Sequence, residues 1–426
     1  MKLNRLLLYG IIIALFFEAR QFSFLVLGAR IRSAQVLACA AIPLVLVGFL
    51  CKKWAFQKTR LDLFLWSYLG INGLAILNSR DAHRSVKIAL LLFSLALLYY
   101  LVIYLAFTME IFSRAFNLLV WVGIGEIVFG LYQVAAGVSN FALKTRLPIY
   151  PAGILQQKYL SSPWGRPYGT FVEPDWYGAI CAFYALFFFV LLFSDRKRKC
   201  LPAAGLILSL AGLFLSFVRA AWLGFVFGLV WLVLFRKRSF RFGFHPARLA
   251  RLALFFLVAI LVLVLLFPQL RTVLLKRFLP PENERLTTLG IRFVNMKLSF
   301  QSFLESPLIG HGPGTPISQK VQFNPSLITT LLDDTGILGF SAFALFLFSL
   351  FRMAWKKLPN LEVRFQPLSL GLFAGLAGLF FSYIFTTGLW LPLTWAFMGL
   401  AVASLNVGTL PTAASETARV GTQEPG

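Results

Sequence analysis

FPQLRTVLLKRFLPPENERLTTLGIRFVNMKLSFQSFLESPLIGHGPGTPISQKVQFNPSLITTLLDDTGILG, residues 267–339, is the longest interruption in an otherwise nearly unbroken series of apolar runs. It holds Arg292 in a segment of helical spacing, the turn Gly310-His311-Gly312-Pro313-Gly314, and the adjacent Asp333 and Asp334 ahead of another apolar run. A chain that is apolar everywhere except in such islands keeps its runs in lipid and its islands at the surface or in a protein-lined cavity.

The composition agrees. Of 426 residues 59% are apolar and 13% charged, and the mean hydropathy is +0.79. That exceeds what a soluble core requires and predicts an all-α integral membrane protein. With roughly 20 apolar residues per span, the expected spans are 6–27, 34–51, 61–77, 86–107, 115–136, 175–193, 201–217, 219–235, 252–268, 335–355, 367–387 and 390–406. Residues 1–406 therefore read as a single polytopic domain of about twelve transmembrane helices. The N-terminal run resembles a signal peptide, but Glu18-Ala19-Arg20-Gln21 follows in place of a small-residue cleavage site, so it reads as an uncleaved first span. The same residues interrupt that span and leave open a short helix followed by a re-entrant or interfacial piece. The polar tail, 407–426, reads as disordered and cytoplasmic.

The net charge of +24 is clustered. Lys and Arg gather at 52–60, 194–200, 236–251 and 356–366, between apolar runs. Such clusters hold cytoplasmic loops against the membrane and argue against nucleic acid as a partner. With the N-terminus in the cytoplasm and spans alternating, all four fall inside, the C-terminus is cytoplasmic, and two long loops, about 137–174 and 269–334, fall outside. Cys39, Cys51, Cys181 and Cys200 lie in or beside apolar runs without metal-ligand spacing. They read as small hydrophobes, and no metal is expected.

Chemistry is concentrated in the outer loops. Arg166 precedes a span, with Glu173 and Asp175 close behind among glycines and prolines. That pattern fits an interfacial anchor with a local ion pair, or contact with substrate phosphate or sugar. Arg219 falls where two apolar runs meet almost without a loop; it either snorkels or pairs with an anion, and arginine is well shaped for bidentate phosphate contact. After Arg292 the spacing predicts an amphipathic helix, with Phe293, Met296, Phe300 and Phe303 on one face and Arg292, Asn295, Ser299 and Ser302 on a polar stripe, ended by Pro307. Gly310, Gly312 and Gly314 let backbone approach a ligand closely. His311 is the histidine nearest a candidate site; His83 is in a short outer loop and His245 in a basic cytoplasmic one. Asp333 and Asp334 suit the N-terminus of the helix predicted to follow.

Four segments in order resemble the bacterial O-antigen ligase and polymerase superfamily of membrane glycosyltransferases. GRPYGTFVEPDWYG (165–178) is similar to an Arg-x-x-Gly-Thr-Phe-x-x-Pro-Asn stretch, with Asp175 at the usual asparagine. SFVRAAWLGFVFGL (216–229) resembles a Ser-x-Ser-Arg-x-x-Trp-Leu segment and matches Arg219 to its arginine. IRFVNMKLSFQSFLESPLIGHGPGT (291–315) matches Arg292, Pro307, Gly310, Gly312 and Gly314, and SLITTLLDDTGILGF (326–340) matches Asp334 and Gly336. Ligases of this kind carry His-Asn upstream of the position of Gly336; here Pro325 and Ser326 stand there.

The resemblance implies a metal-independent glycosyltransferase without cofactor in the bacterial inner membrane, acting in cell-surface polysaccharide assembly. A glycan on undecaprenyl pyrophosphate would pass at the outer face to a hydroxyl on a glycan or lipid acceptor, with membrane lipids around it. The missing histidine tilts the expectation to a polymerase. Arg219 and Arg292 would neutralise the leaving pyrophosphate, Asp334 or His311 would complete the catalytic set, and Arg166, Glu173, Asp175, Gly310, Gly312 and Gly314 would bind substrate. Asp333, Asp334, Glu173 and His311 all stand as general bases. The alternative is a transporter or flippase of lipid-linked or anionic solutes, using the same arginines without chemistry.

Overall fold

The computed structural model describes residues 2–16, 23–26, 29–50, 59–106, 108–135, 166–171, 173–194, 199–236, 291–316 and 326–408. The described helices are α1 (Lys2–Ala14), α2 (Ser33–Leu50), α3 (Arg60–Ala75), α4 (Ala82–Leu105), α5 (Met109–Ala135), α6 (Pro174–Leu192), α7 (Cys200–Leu215), α8 (Arg219–Arg236), α9 (Ile291–Glu305), α10 (Leu327–Lys357), α11 (Gln366–Tyr383) and α12 (Pro392–Val407). One antiparallel hairpin, β1 (Ser23–Val26) with β2 (Ala29–Arg32), joins α1 to α2, with Ser23 opposite Arg32.

Among the described residues, six helical stretches are long and apolar enough to cross a membrane: Leu61–Asn78, Ala82–Leu105, Met109–Ala135, Pro174–Leu192, Leu327–Asn360 and Gln366–Tyr383. Shorter apolar helices lie at Arg5–Ala14, Ser33–Pro43, Cys200–Leu215, Arg219–Phe235 and Pro392–Val407. Every expected span except 252–268, which lies outside the described residues, falls on one of these helices. The tail beyond Gly408, most of the basic loop 236–251 and much of both long loops also lie outside them. The first expected span, 6–27, is cut short. Its helix ends at Ala14 and the hairpin begins at Ser23. Glu18, Arg20 and Gln21, the polar residues that interrupt that run in sequence, lie outside the described residues.

The centre is built on α6, α11 and α12, which are buried over nearly their whole length. Small residues allow this closeness. A Cβ on Gly224 of α8 would lie 2.4 Å from the Gly378 carbonyl of α11, so these two backbones touch, as membrane helices do where small residues meet. Phe183 of α6 stacks on Phe397 of α12 with centroids 4.0 Å apart.

Charged side chains that bond between helices gather towards the ends of the bundle, while neutral contacts such as Gln35 to Ser94 (2.7 Å) and Tyr184 to the Leu119 carbonyl (2.9 Å) lie between. At one end Arg5 pairs with Glu110 (3.0 Å), Tyr100 donates to Asp62 (2.8 Å) and Lys357 donates to Asn406 (3.1 Å). Asp62 and Lys357 adjoin the basic loops 52–60 and 356–366. At the other end stand the residues of the two long loops, and there the candidate site is assembled.

Candidate functional site

The first piece is the 166–171 segment, held from below by α5. Glu126 and Gln133 lie seven residues apart in an otherwise apolar run and face inward, 4% and 5% exposed. The Gln133 side-chain carbonyl accepts the N–H groups of Tyr168 (3.1 Å) and Gly169 (2.8 Å), and its amide donates to the Gly169 carbonyl (2.9 Å). The Glu126 carboxylate accepts the Thr170 N–H (2.7 Å) and hydroxyl (2.8 Å). Gly169 has φ +58°, and a Cβ there would fall 1.7 Å from Glu126 Oε1. Two buried side chains thus satisfy backbone that would otherwise be unpaired beside lipid.

This grip aims Arg166. Its Nε donates to the Ser216 carbonyl and its Nη2 to Asp175 Oδ1, both at 2.9 Å. From α9, Arg292 Nη2 donates to Asp175 Oδ2 at 2.9 Å and Nη1 to the Phe385 carbonyl at 3.3 Å. One largely buried carboxylate therefore holds two guanidiniums, one on each oxygen. The Ser216 carbonyl belongs to the tight turn between α7 and α8, where Phe217 takes φ +54°. α8 starts three residues after Ser216, at Arg219, which is half-buried and has no carboxylate partner among the described residues. Glu173 is the N-cap of α6, but its side chain caps nothing. Burial pushes its carboxyl up, the Asp175 charge adds to this, and Arg292 and Arg166 oppose it.

The second piece is a broken helix with a loop plugged into it. Within α10, Gly336 has φ 62° and ψ −166°. The break orphans carbonyls on one side and N–H groups on the other. The 306–315 loop supplies partners for both. His311 and Gly312 donate their N–H groups to the Asp333 and Asp334 carbonyls (both 2.9 Å), while Ile337 and Leu338 donate to the Pro307 and Leu308 carbonyls (2.8 and 3.3 Å). The contact is backbone against backbone. A Cβ on Gly310 would lie 2.5 Å from the Thr335 nitrogen, and one on Gly336 2.4 Å from the Leu308 carbonyl. From the α3–α4 turn, Asn78 donates to the Gly310 carbonyl (2.7 Å), and Ser79, Ser85 and Thr315 bond with one another.

Asp333 and Asp334 are buried on the last turn of the first arm of α10, which begins at Leu327 rather than at the predicted 335. The start of the second arm is satisfied by loop carbonyls, so the expected capping by these aspartates is replaced by backbone. His311 Nδ1 lies 3.4 Å from Asp333 Oδ1 and 3.4 Å from Ser302 Oγ; its Nε2 lies 3.0 Å from Arg80 Nη2. Arg80 also bonds Ser302 (3.2 Å) and pairs with Glu305. The Asp334 carboxylate accepts the Gly314 N–H.

α9 joins the two pieces. It has the predicted amphipathic form, with Ser299 and Ser302 buried and Phe293 and Phe300 68% and 49% exposed. Arg292 near its start touches Asp175, and Ser302 and Glu305 near its end touch Arg80. At 1.5 Å per residue, Arg292 and Ser302 stand about 15 Å apart along the helix.

Of the sequence-predicted site residues, the structure brings together Arg166, Glu173, Asp175 and Arg292, with Arg219 beside them at the Ser216 turn. His311 and Asp334 gather at the other end of α9. Gly310, Gly312 and Gly314 direct their N–H groups to the Ser306 carbonyl (3.0 Å), the Asp334 carbonyl and the Asp334 carboxylate. Sequence reading missed Glu126, Gln133, Arg80 and Glu305. The first two left a signal, since polar residues in an apolar run need an internal partner. Among the described residues no three His, Cys, Asp or Glu side chains gather as metal ligands.

An apolar cleft of about 340 Å³ opens between α8, α10 and α11. Leu327, Ile328 and Ile384 line its end at the site, and Trp231 and Phe351 its far end. Ile384 adjoins Phe385, whose carbonyl holds Arg292.

No curated protein matches the chain. Residues 204–334 match the O-antigen ligase family model. That span contains Arg219, Arg292, the Gly310–Gly314 turn and both aspartates. From within α7 to the last turn before the α10 break, the chain is thus similar to O-antigen ligases, and the resemblance read from its motifs to the ligase and polymerase superfamily rests on a matched domain.

Proposed function

We propose that this protein is a glycosyltransferase of cell-surface polysaccharide assembly, moving a glycan from undecaprenyl pyrophosphate to an acceptor hydroxyl at the outer face of the bacterial inner membrane. The observation that carries this reading is the convergence of Arg166 and Arg292 on Asp175 beside the start of the Arg219 helix. Arginines fixed before substrate arrives can neutralise a departing pyrophosphate without reorganising, and they act strongly where water is scarce. The cleft beside Phe385 suits the isoprenoid tail of such a donor. The site lies at the end of the bundle away from the basic loops, which is the outer face under the positive-inside rule.

A polymerase is favoured over a ligase. At the two positions of the ligase His-Asn stand Pro325, in place of the histidine, and Ser326, whose hydroxyl donates to the Ile384 carbonyl at 2.7 Å at the start of α10. A proline in place of the histidine supplies no base.

The test uses purified protein in nanodiscs with undecaprenyl-pyrophosphate-linked repeat units. A ladder of longer lipid-linked glycans is expected without added acceptor. Transfer only after lipid A–core is added makes the protein a ligase. Bound donor without product in both assays moves the reading to transport. An active Arg219→Ala/Arg292→Ala double variant refutes the role given to the arginines.

A further inference from the structure

Transfer to a hydroxyl requires something to take the hydroxyl proton, and seven described carboxylates stand at this end of the bundle. Five are engaged. Asp81 accepts the Arg84 N–H (3.0 Å), Glu126 holds Thr170, and Asp175 is bonded on both oxygens. Glu305 pairs with Arg80, and Asp334 accepts the Gly314 N–H. The sixth, Asp333, has a buried Oδ1 without a hydrogen bond, 3.4 Å from His311, and it lies with His311 away from the arginines. His311 has neighbours within 3.4 Å at both ring nitrogens, and it lies at the far end of α9 from the arginines. The seventh carboxylate is Glu173. It makes no hydrogen bond or ion pair among the described residues, although it lies within electrostatic reach of Arg166, Asp175 and Arg292.

We propose that Glu173 is the general base of the transfer. The inference rests on the glycosyl-transfer reading above. The acceptor oxygen forms a bond to the anomeric carbon, and the bond from that carbon to the pyrophosphate oxygen breaks. The electron pair leaves with the lipid pyrophosphate, and the hydroxyl proton passes to the free carboxylate of Glu173. Asp175 complements it: by occupying both arginines from two residues further along, in the first turn of the helix that Glu173 precedes, it leaves Glu173 outside the ion pairs. The charged groups facing Glu173 are Asp175 on α6, Arg166 on the segment before it and Arg292 on α9. Burial and the Asp175 charge hold the carboxyl above the ordinary glutamate range, which brings a base closer to working pH.

The test measures initial rates on the lipid-linked donor across pH for the intact protein, Glu173→Gln and Glu173→Asp, with inorganic pyrophosphate as a competing probe of donor binding. Glu173→Gln preserves shape at a position whose side chain caps nothing, and size-exclusion profiles check its fold. The expected result is a kcat about 100-fold lower or more in Glu173→Gln, with the donor KM and the pyrophosphate competition within about twofold of the intact protein. The acidic limb of the pH–rate profile should vanish with it, and Glu173→Asp should restore part of the rate and the limb. A Glu173→Gln protein with unchanged kcat overturns the assignment, as does a raised KM at unchanged kcat. If the intact protein binds donor but forms no product, the transfer reading itself falls. Product from the intact protein together with an unchanged kcat in Glu173→Gln overturns only the base.

Discussion

Replacing Gly336 by alanine tests the broken helix directly. Two costs arise. The left-handed backbone (φ 62°) disfavours any Cβ by about 1–2 kcal/mol. The added Cβ would also sit 2.4 Å from the Leu308 carbonyl carbon and oxygen and 2.6 Å from the Ile309 nitrogen, all backbone atoms that no rotamer change can move aside. Forcing them apart is an overpacking strain of about 1–3 kcal/mol, and it pulls on the Ile337 and Leu338 hydrogen bonds to the loop. The expected destabilisation is about 3 kcal/mol, which shortens the inactivation half-life about a hundredfold if it falls wholly on the unfolding barrier. The assay is loss of the monodisperse peak with time in detergent at one elevated temperature. Gly310→Ala should behave alike, because its Cβ meets Thr335 and Asp334 backbone at 2.5–2.6 Å with φ 77°. Gly70→Ala is the control: its Cβ meets open space on α3, so it should be neutral or stabilising. A Gly336→Ala protein as durable as the parent would refute the docking of the loop into the break.

Glu126→Leu should leave the Thr170 N–H without its buried partner at a cost of about 1–3 kcal/mol, and should lower transfer further by releasing the segment that aims Arg166; Glu126→Gln, which keeps one acceptor, should retain most stability in the same thermal assay. Glu305→Ala should cost under about 1 kcal/mol in that assay, because its side chain is 65% exposed and its partner Arg80 keeps Ser302 and His311. Ala377→Phe should fill part of the cleft and raise the donor KM for a full-length isoprenoid tail while leaving a short-chain analogue unaffected; equal effects on both donors would exclude the cleft as the tail site.

The spans were legible because lipid forces a long apolar run wherever a helix crosses, and α3 to α8 and α10 to α12 follow those runs. The arginine cluster was legible in part, since Arg166, Arg219 and Arg292 are conspicuous in or beside apolar sequence. The break in α10 was not. Asp333-Asp334-Thr335-Gly336 ahead of an apolar run reads as the start of a helix, and only the Leu308 backbone, remote in sequence, makes Gly336 a break. The separation of His311 and Asp334 from the arginines was hidden for a related reason. Arg292 and His311 share one loop in sequence, but α9 is a rigid spacer that holds their ends apart. The hairpin after α1 begins inside the first expected span, where the polar residues had left open a short helix followed by a re-entrant or interfacial piece but gave no sign of strands.

The α10 break also bears on the order in which the chain is made. A helix carrying two buried aspartates and a set of orphaned backbone groups is a poor guest for bare lipid. Each partner that completes it (Asn78, Pro307, Leu308, His311, Gly312 and Gly314) precedes Gly336 in the sequence. As the ribosome delivers α10, its receptor has already been synthesised, so the break can be closed from the moment it emerges. The opposite chain order would oblige an unsatisfied half-helix to wait.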